Sequence, residues 1–288
     1  MAADLPRLNS IIKALEGGQV AFISGDPDAA GGGQFDGAIY EMEHGRYNID
    51  ELYYGLLGLL NPRRIAQTGS VAPAVTPIVR IPPNSGEANW IAKQVLDIGV
   101  YGIVWPHIDT VQDAYNAVAA MRYAKREGHS RREPLGVRGD SPGTAVKYWG
   151  ITQQEYYDRA DVWPLDPNGE LLCALMIEST RGIKNLPEIL KEVPGISVII
   201  VGEGDYSQEL GFPRQYDHPE VLAGVHQIRD TCLEAKIPVG FWHTNEANVE
   251  SLIAEGYRYL MAGPSRSYGV VNKGRTAAGR EPVTAARG

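Results

Sequence analysis

Two segments each place a carboxylate at the end of an apolar run: Leu175-Met176-Ile177-Glu178 and Ile199-Ile200-Val201-Gly202-Glu203-Gly204-Asp205. Apolar runs closed by a polar residue read as buried parallel strands, and the C-terminal strand ends are where α/β enzymes carry their chemistry. Two carboxylates delivered from neighbouring strand ends can hold a hard divalent cation and leave coordination sites for a substrate. Each also has a plainer use. Glu178 precedes Ser179-Thr180-Arg181, where it would offset a helix N-terminus, and Asp205 would serve as an N-cap with Ser207. Gly202 and Gly204 favour the functional use, because glycine lets another group approach the backbone closely.

Other strand ends enlarge the set. Glu41-Met42-Glu43-His44 closes an earlier run. His44 is the acid/base candidate, since histidine alone has an unperturbed pKa near neutrality, and a carboxylate beside it would orient the ring. Arg80 ends Pro77-Ile78-Val79-Arg80, and an arginine there needs a partner: Glu41, Glu43 or an anionic group of the substrate. His107 and His243 follow two further runs and read either as site residues or as polar groups satisfied by loop carbonyls. No Ser or Cys sits in a nucleophile elbow after a predicted strand, and the sequence contains no HExxH and no CxxC. None of the strands ends clearly on a lysine. A metal site is therefore the economical account.

These side chains need a frame. Hydrophobic periodicity predicts strands at Gln19–Ser24, Gly37–Glu41, Pro77–Ile81, Gly102–Trp105, Leu171–Ile177, Ser197–Val201, Pro238–Trp242 and Tyr259–Ala262, with a helix between each and the next. That rhythm predicts a closed (β/α)8 barrel. A doubly wound sheet would need a glycine-rich phosphate turn between an early strand and its helix. Gly31-Gly32-Gly33 falls before the second strand and reads as a flexible loop. One barrel is expected over residues 1–265. Within it, residues 139–170, rich in Gly, Pro, Asp and aromatic residues, predict a long loop with a short helical stretch near Gln153–Arg159 at the top of the barrel, where long loops line sites. Residues 266–288 form a tail that reads as a loop, a partner-binding arm or a partly disordered segment.

Bulk properties narrow the function classes. The chain has 288 residues and a net charge of -8, and no basic stripe with interleaved aromatics runs along it, which argues against a nucleic-acid partner. No apolar stretch is long enough to span a bilayer, and the N-terminus lacks the order of a signal peptide. The expectation is a cytoplasmic protein with no membrane partner. Cys173 and Cys232 are expected as buried free thiols.

The order Glu41-x-Glu43-His44, Pro77-x-Val79-Arg80, Gly136-x-Arg138-Gly139, Met176-Ile177-Glu178 and Val201-Gly202-x-Gly204-Asp205-x-Ser207 resembles the HpcH/HpaI-type class II pyruvate aldolases. Arg181-Gly182-x-Lys184-Asn185-Leu186-Pro187 and His218-Pro219-Glu220-Val221 extend the resemblance over residues 8–265. It implies a (β/α)8 TIM barrel of the phosphoenolpyruvate/pyruvate type, with its last helix swapped between neighbours and a homo-oligomer, a hexamer or trimer of dimers. It implies a lyase acting on a 4-hydroxy-2-oxoacid through a pyruvate enolate, its partners a small 2-oxoacid and an aldehyde. The resemblance assigns a divalent metal (Mg, Mn or Co) to Glu178 and Asp205, enolate stabilisation to Arg80, and proton transfer to His44 with Glu41. The N–H groups of Gly204 and Asp205 would receive the substrate carboxylate. Departures are Glu41 in place of a family aspartate, and Glu203 and Tyr206 in the Gly202–Ser207 motif. Glu203 adds a negative charge beside the expected metal. Tyr148, Trp149, Tyr156, Tyr157 and Trp163 suggest an apolar or aromatic acceptor. The alternatives are an oxaloacetate decarboxylase with chemistry like that of macrophomate synthase, and a barrel that binds a metabolite without catalysis.

Overall fold

A computed structural model describes residues 6–30, 33–83, 88–262 and 268–283. Nine strands form one sheet: β1 (Ala21–Ser24), β2 (Gly37–Glu41), β3 (Thr76–Arg80), β4 (Gly102–Trp105), β5 (Val162–Trp163), β6 (Leu171–Ile177), β7 (Val198–Val201), β8 (Val239–Phe241) and β9 (Tyr259–Met261). Every pairing is parallel. The order β4-β3-β2-β1-β9-β8-β7-β6, with β4 pairing back to β6, closes an eight-stranded barrel. β5 lies along the start of β6, where Val162 pairs with Leu171. It is too short to show a period in the sequence.

Alternation builds the two cores. Ala21 and Ile23 of β1, Ile39, Ile78, Val104, then Leu172, Ala174 and Met176, and Val198 with Ile200 fill the barrel interior. The intervening residues, among them Phe22, Ala38, Val79, Cys173, Leu175 and Ile199, face the helix layer. Both cysteines are free and buried. Helices stand between successive barrel strands, as the strand–helix rhythm predicts. Thr110 and Asp113 form a capping box at the start of Val111–Met121, which buries Ala114, Ala117, Val118 and Met121.

The barrel has a floor. The Ser10–Glu16 helix turns Ile11, Ile12 and Ala14 into the interior cluster. Asn9 ties it there by donating its side-chain N–H to the carbonyls of Tyr101 and Glu170 (3.2 and 3.0 Å), both just before strand starts. The backbone N–H of Ser10 donates to Thr76 Oγ1 at 2.8 Å.

The segment 139–170 corrects an expectation. It is not a lid at the top but packing at the bottom and side. It contains the Gly143–Trp149 and Gln153–Arg159 helices. Trp149 stacks on Tyr101 at 4.2 Å and donates Nε1–H to the Gly99 carbonyl; Tyr156 meets the Trp149 ring edge-on. Trp163 donates to Glu16 of the floor helix at 2.9 Å. The reason is topological: this chain follows the Val111–Met121 helix, and a helix of a βα unit returns the chain to the N-terminal ends of the strands.

The tail also differs from its expectation. Residues Gly269–Ala277 are helical and pack on the same chain, where Val271 is buried and a Cβ at Gly274 would meet Phe22 and Val249 at 2.8 Å. Arg280 then donates to the Val20 carbonyl (2.6 Å) and pairs with Asp36 (3.0 Å). In the single chain described, this helix docks on its own barrel. Gly31, Gly32 and residues 1–5, 84–87, 263–267 and 284–288 lie outside the described residues.

Candidate active site

Strand alternation delivers the central groups. Ile78 is on the inner face of β3, so Arg80 two residues on points the same way; Met176 is inward on β6, so Glu178 just past its end is too. Arg80 is 8% exposed. Its guanidinium donates Nε–H to Glu41 Oε2 at 2.7 Å, pairs through Nη1 with Glu43 Oε2 at 3.1 Å and lies 4.8 Å from the centre of the Trp242 ring. Both carboxylates weighed as its partner are therefore used. Two acids and an indole face hold a planar donor in one orientation.

Glu178 is 5% exposed. Its Oε1 accepts the backbone N–H of His107 at 2.6 Å. The helix-offset reading does not hold for it, because Ser179 caps the following Thr180–Glu192 helix by accepting from Gly182. Burial pushes the Glu178 carboxyl above its usual range, reinforced by the charges of Glu43 and Asp205 and opposed by the His107 N–H and ring. Gly202 is required beside it: a Cβ there would sit 2.4 Å from Glu178 Cβ and 2.7 Å from Oε2.

Asp205 lies in the first turn of the Glu203–Glu209 helix, whose N-cap is Gly202 without any side-chain cap bond. The N-cap alternative for Asp205 is thereby set aside. The first backbone bond of that helix is Tyr206 N–H to the Gly202 carbonyl, so the N–H groups of Gly204 and Asp205 precede it and have no acceptor within the helix. A Cβ at Gly204 would meet nothing within 4 Å.

His107 completes a cluster that the sequence left undecided. One ligand atom from each of His107, Glu178 and Asp205 lies within 4.8 Å of the others. The ring sits between acids, with Nε2 at 3.4 Å from Glu43 and 3.8 Å from Asp205, and Nδ1 at 3.5 Å from Glu178. The hydrogen bond to Glu43, with the charges of Glu178 and Asp205, outweighs burial and pushes the imidazole up to about 9. The usable signal was its place at the end of β4, the strand paired with β6. Hard carboxylate oxygens crowded around a buried acid are the donor set a divalent cation relieves.

His44 and Glu41 sit differently from their expected pairing. The His44 ring is exposed, with Nε2 at 3.8 Å from Glu43 Oε2. Glu41 turns away from it, to Arg80 and to the backbone N–H groups of Glu43 and His44 (2.8 and 3.1 Å). The extra methylene of Glu41 carries its carboxylate past the histidine to the arginine. Glu41 therefore orients Arg80 rather than the imidazole.

His44, Arg80, Met176, Gly204 and Asp205 line one cleft of about 250 Å³, whose remaining wall includes Gln208, Arg214, Tyr216, Trp242 and His243. Glu203, which adds a negative charge near the expected metal, also lines this cleft; it is 4% exposed, with His243 Nδ1 2.6 Å from its Oε1. None of the five aromatic residues of 139–170 lines this cleft.

A family model described as HpcH/HpaI aldolase/citrate lyase matches residues 63–266. The 2-keto-3-deoxy-L-rhamnonate aldolase of Klebsiella pneumoniae is 30% identical over 231 residues, 80% of this chain and 74% of that protein. Its namesake from Salmonella gallinarum is 29% identical over 235 residues, with the same coverage. Among solved structures, an HpcH/HpaI aldolase/citrate lyase family protein from Burkholderia cenocepacia matches with a TM-score of 0.71 at 23% identity, over 88% of this chain and 92% of that one. Macrophomate synthase matches with a TM-score of 0.65 at 22% identity, over 89% and 82%. The structural likenesses establish the fold.

Proposed function

The chain belongs to the HpcH/HpaI aldolase/citrate lyase family, and from that premise we propose that it is a class II aldolase that makes or breaks the carbon–carbon bond of a 4-hydroxy-2-oxoacid through a pyruvate enolate. Glu178 and Asp205 hold the divalent cation, Mg, Mn or Co, in this reading. The observation that carries it is that Arg80 from β3 and Asp205 from the first turn of the helix after β7 line one cleft, with a carboxylate oxygen of Glu178 from β6 within 4.8 Å of one from Asp205.

When bound, the cation supplies Lewis-acid charge at the keto group of the substrate. The protein's own residues do the rest. Arg80, held by Glu41 and Glu43, presents N–H donors to the oxygen on which negative charge grows, and a fixed donor costs no reorganisation at that moment. The N–H groups of Gly204 and Asp205 receive the substrate carboxylate. His44, at the exposed end of the cleft, takes the proton from the hydroxyl in cleavage and returns it in synthesis, through water.

The exposed ring of His44, with no acid orienting it closely, favours one second reading: decarboxylation of oxaloacetate, which removes no hydroxyl proton. The non-catalytic reading rested on Glu203 and the altered Gly202–Ser207 motif; Glu203 Oε1 is 2.6 Å from His243 Nδ1. One barrel over residues 1–265 with an appended tail, a cytoplasmic location and a homohexamer belong to the same proposal. Exposed Tyr47, Tyr54, Leu57 and Trp90 support an oligomer. No described helix is long and apolar enough to cross a membrane. The test is exchange of pyruvate methyl protons with deuterated water, followed by NMR with each of the three metals. Exchange is expected with at least one. Its absence with all three, together with unchanged metal content in Glu178→Gln, overturns the reading.

A further inference from the structure

The end of β4 departs from the regular ladder at one residue. Trp105 of β4 pairs with Leu175 of β6, and that register, continued, would give the Met176 carbonyl the backbone N–H of His107. Ile108 takes the place instead, donating to the Met176 carbonyl at 3.2 Å. The chain therefore holds one extra residue here, a bulge of the kind that re-aims a side chain beside an active site. His107 has φ 53, a left-handed conformation uncommon for any residue with a side chain and kept only where the surroundings over-determine it. Glu178 supplies the constraint, because its Oε1 accepts the displaced His107 N–H at 2.6 Å.

The same bulge swings the imidazole over the two acids. Nδ1 is 3.5 Å from Glu178 Oε1, and Nε2 is 3.8 Å from Asp205 Oδ2. Two ligands of one ion, each bonded at about 2.0–2.2 Å, stand roughly 3–4 Å apart. Both ring contacts fall in that range. The side chain is 45% exposed, so an ion from solvent can reach it. Glu43, whose own side chain is buried, lies 3.4 Å from Nε2 and steadies the ring.

We propose that His107 is a third protein ligand beside Glu178 and Asp205, so that the site selects cobalt or zinc over magnesium. Two carboxylates alone form a hard oxygen set that suits magnesium as well as the later ions. An imidazole nitrogen adds most affinity for the later first-row dications and least for magnesium. Ligation displaces any ring proton, so affinities are compared above neutral pH. The inference rests on the reading of Glu178 and Asp205 as metal ligands and names the ion class for it. Its rival is an imidazolium that only balances the charge of Glu43, Glu178 and Asp205. The two differ in sign: losing a ligand weakens metal binding, whereas losing a competing positive charge strengthens it.

The test is calorimetric titration of metal-free protein with Co²⁺, Zn²⁺ and Mg²⁺, wild type against His107→Ala. Groups that merely orient a ligand contribute about 10–100-fold in affinity, so loss of the ligand itself should weaken Co²⁺ and Zn²⁺ by about 100-fold. Mg²⁺ affinity should stay within a few-fold of wild type. His107→Asn tolerates the left-handed backbone and replaces the nitrogen donor with an amide oxygen, so it should lower the Co²⁺-to-Mg²⁺ affinity ratio without loss of fold. Pulsed EPR of Mn²⁺-loaded wild-type protein should show coupling to one imidazole nitrogen that disappears in both variants. Unchanged or tighter binding of all three ions in His107→Ala, an equal loss for all three, or no nitrogen coupling in the wild type overturns the proposal. Glu178→Gln tells that failure from a deeper one: the two-carboxylate reading stands where this variant still loses metal, and wild-type protein that binds none of the ions overturns both.

Discussion

Gly202→Ala should disable the metal site while leaving the barrel folded. The backbone at Gly202 has φ -101 and ψ 66, and a negative φ suits an L residue. The conflict is therefore with neighbours: the new Cβ would sit 2.4 Å from Glu178 Cβ and 2.7 Å from its Oε2. Real contacts are never that close, and β6 cannot retreat, because Ile177 is registered with Val201 in the ladder. Rotation of the Glu178 side chain relieves the Oε2 contact but not the Cβ contact, so the backbone at Gly202 must shift as well. Overpacking costs about 1–3 kcal/mol, and the lower entropy of the unfolded alanine chain offsets about 0.4–1 kcal/mol of it. A net loss of about 1–2 kcal/mol is a Tm shift of roughly 2–4 °C for a chain of this size. Metal binding should suffer far more. Groups that orient a ligand typically contribute about 10–100-fold in metal affinity, so the metal concentration for half-maximal activity should rise by at least that factor. The partner experiment is Gly204→Ala, whose Cβ meets nothing within 4 Å of protein. Its Tm should hold or rise slightly, while the KM for pyruvate increases, because the methyl enters the space assigned to the substrate carboxylate. Metal titration by calorimetry and thermal unfolding read out both variants. If Gly202→Ala keeps wild-type metal affinity, Glu178 is not the ligand and the reasoning from register fails.

Arg80→Lys replaces a fork that meets Glu41, Glu43 and Trp242 with a point charge. Pyruvate proton exchange should fall by about 100-fold or more, with metal affinity within a few-fold of wild type. His44→Ala should slow aldol cleavage more than oxaloacetate decarboxylation in parallel steady-state assays; equal losses would count against its role as base. Asp161 supplies a pH prediction. Burial alone would raise its carboxyl, but the hydrogen bond and charge of Arg122 at 2.6 Å, with Lys125 at 3.2 Å, hold it below the ordinary 3.8. A folded pKa below the unfolded one stabilises above the unfolded value and is lost as pH falls through the folded one. Urea unfolding of Asp161→Asn should therefore show a deficit of about 3 kcal/mol at pH 7 that shrinks below about pH 4; a constant deficit would refute the assignment.

Much of the frame was readable because strands buried on both faces are continuous apolar runs. Three of the eight barrel strands, β2, β4 and β6, match their expected bounds, and the rest differ by one or two residues. Glu178, Asp205 and Arg80 were readable for the same reason: each stands where an apolar run stops. Side-chain partners were less so. Whether Glu41 turns to His44 or to Arg80 depends on one methylene and on which residue β3 sets opposite β2. Tyr206 is buried, and a Cβ at Gly224 would meet its ring at 2.4 Å; its bulk packs against the Pro219–Ala235 helix and does not line the cleft. Composition drew the aromatic segment 139–170 toward the substrate, although its position after a helix already sends it to the opposite end. His243 looked solitary in the sequence because its partner Glu203 is forty residues away, joined to it only by the β7–β8 register.

The floor helix has a consequence for how the protein is made. Leu8 and Asn9 donate their backbone N–H groups to the Glu170 carboxylate, 162 and 161 residues along the chain. At a ribosome adding about 5–20 residues per second, the first helix waits roughly 8 to 30 s for its dock to be synthesised. Ile11 and Ile12, fully buried at the end, are sticky surface throughout that interval. The nascent chain therefore carries an aggregation hazard at its leading end, and a solubilising tag placed there would shield those two isoleucines during the wait.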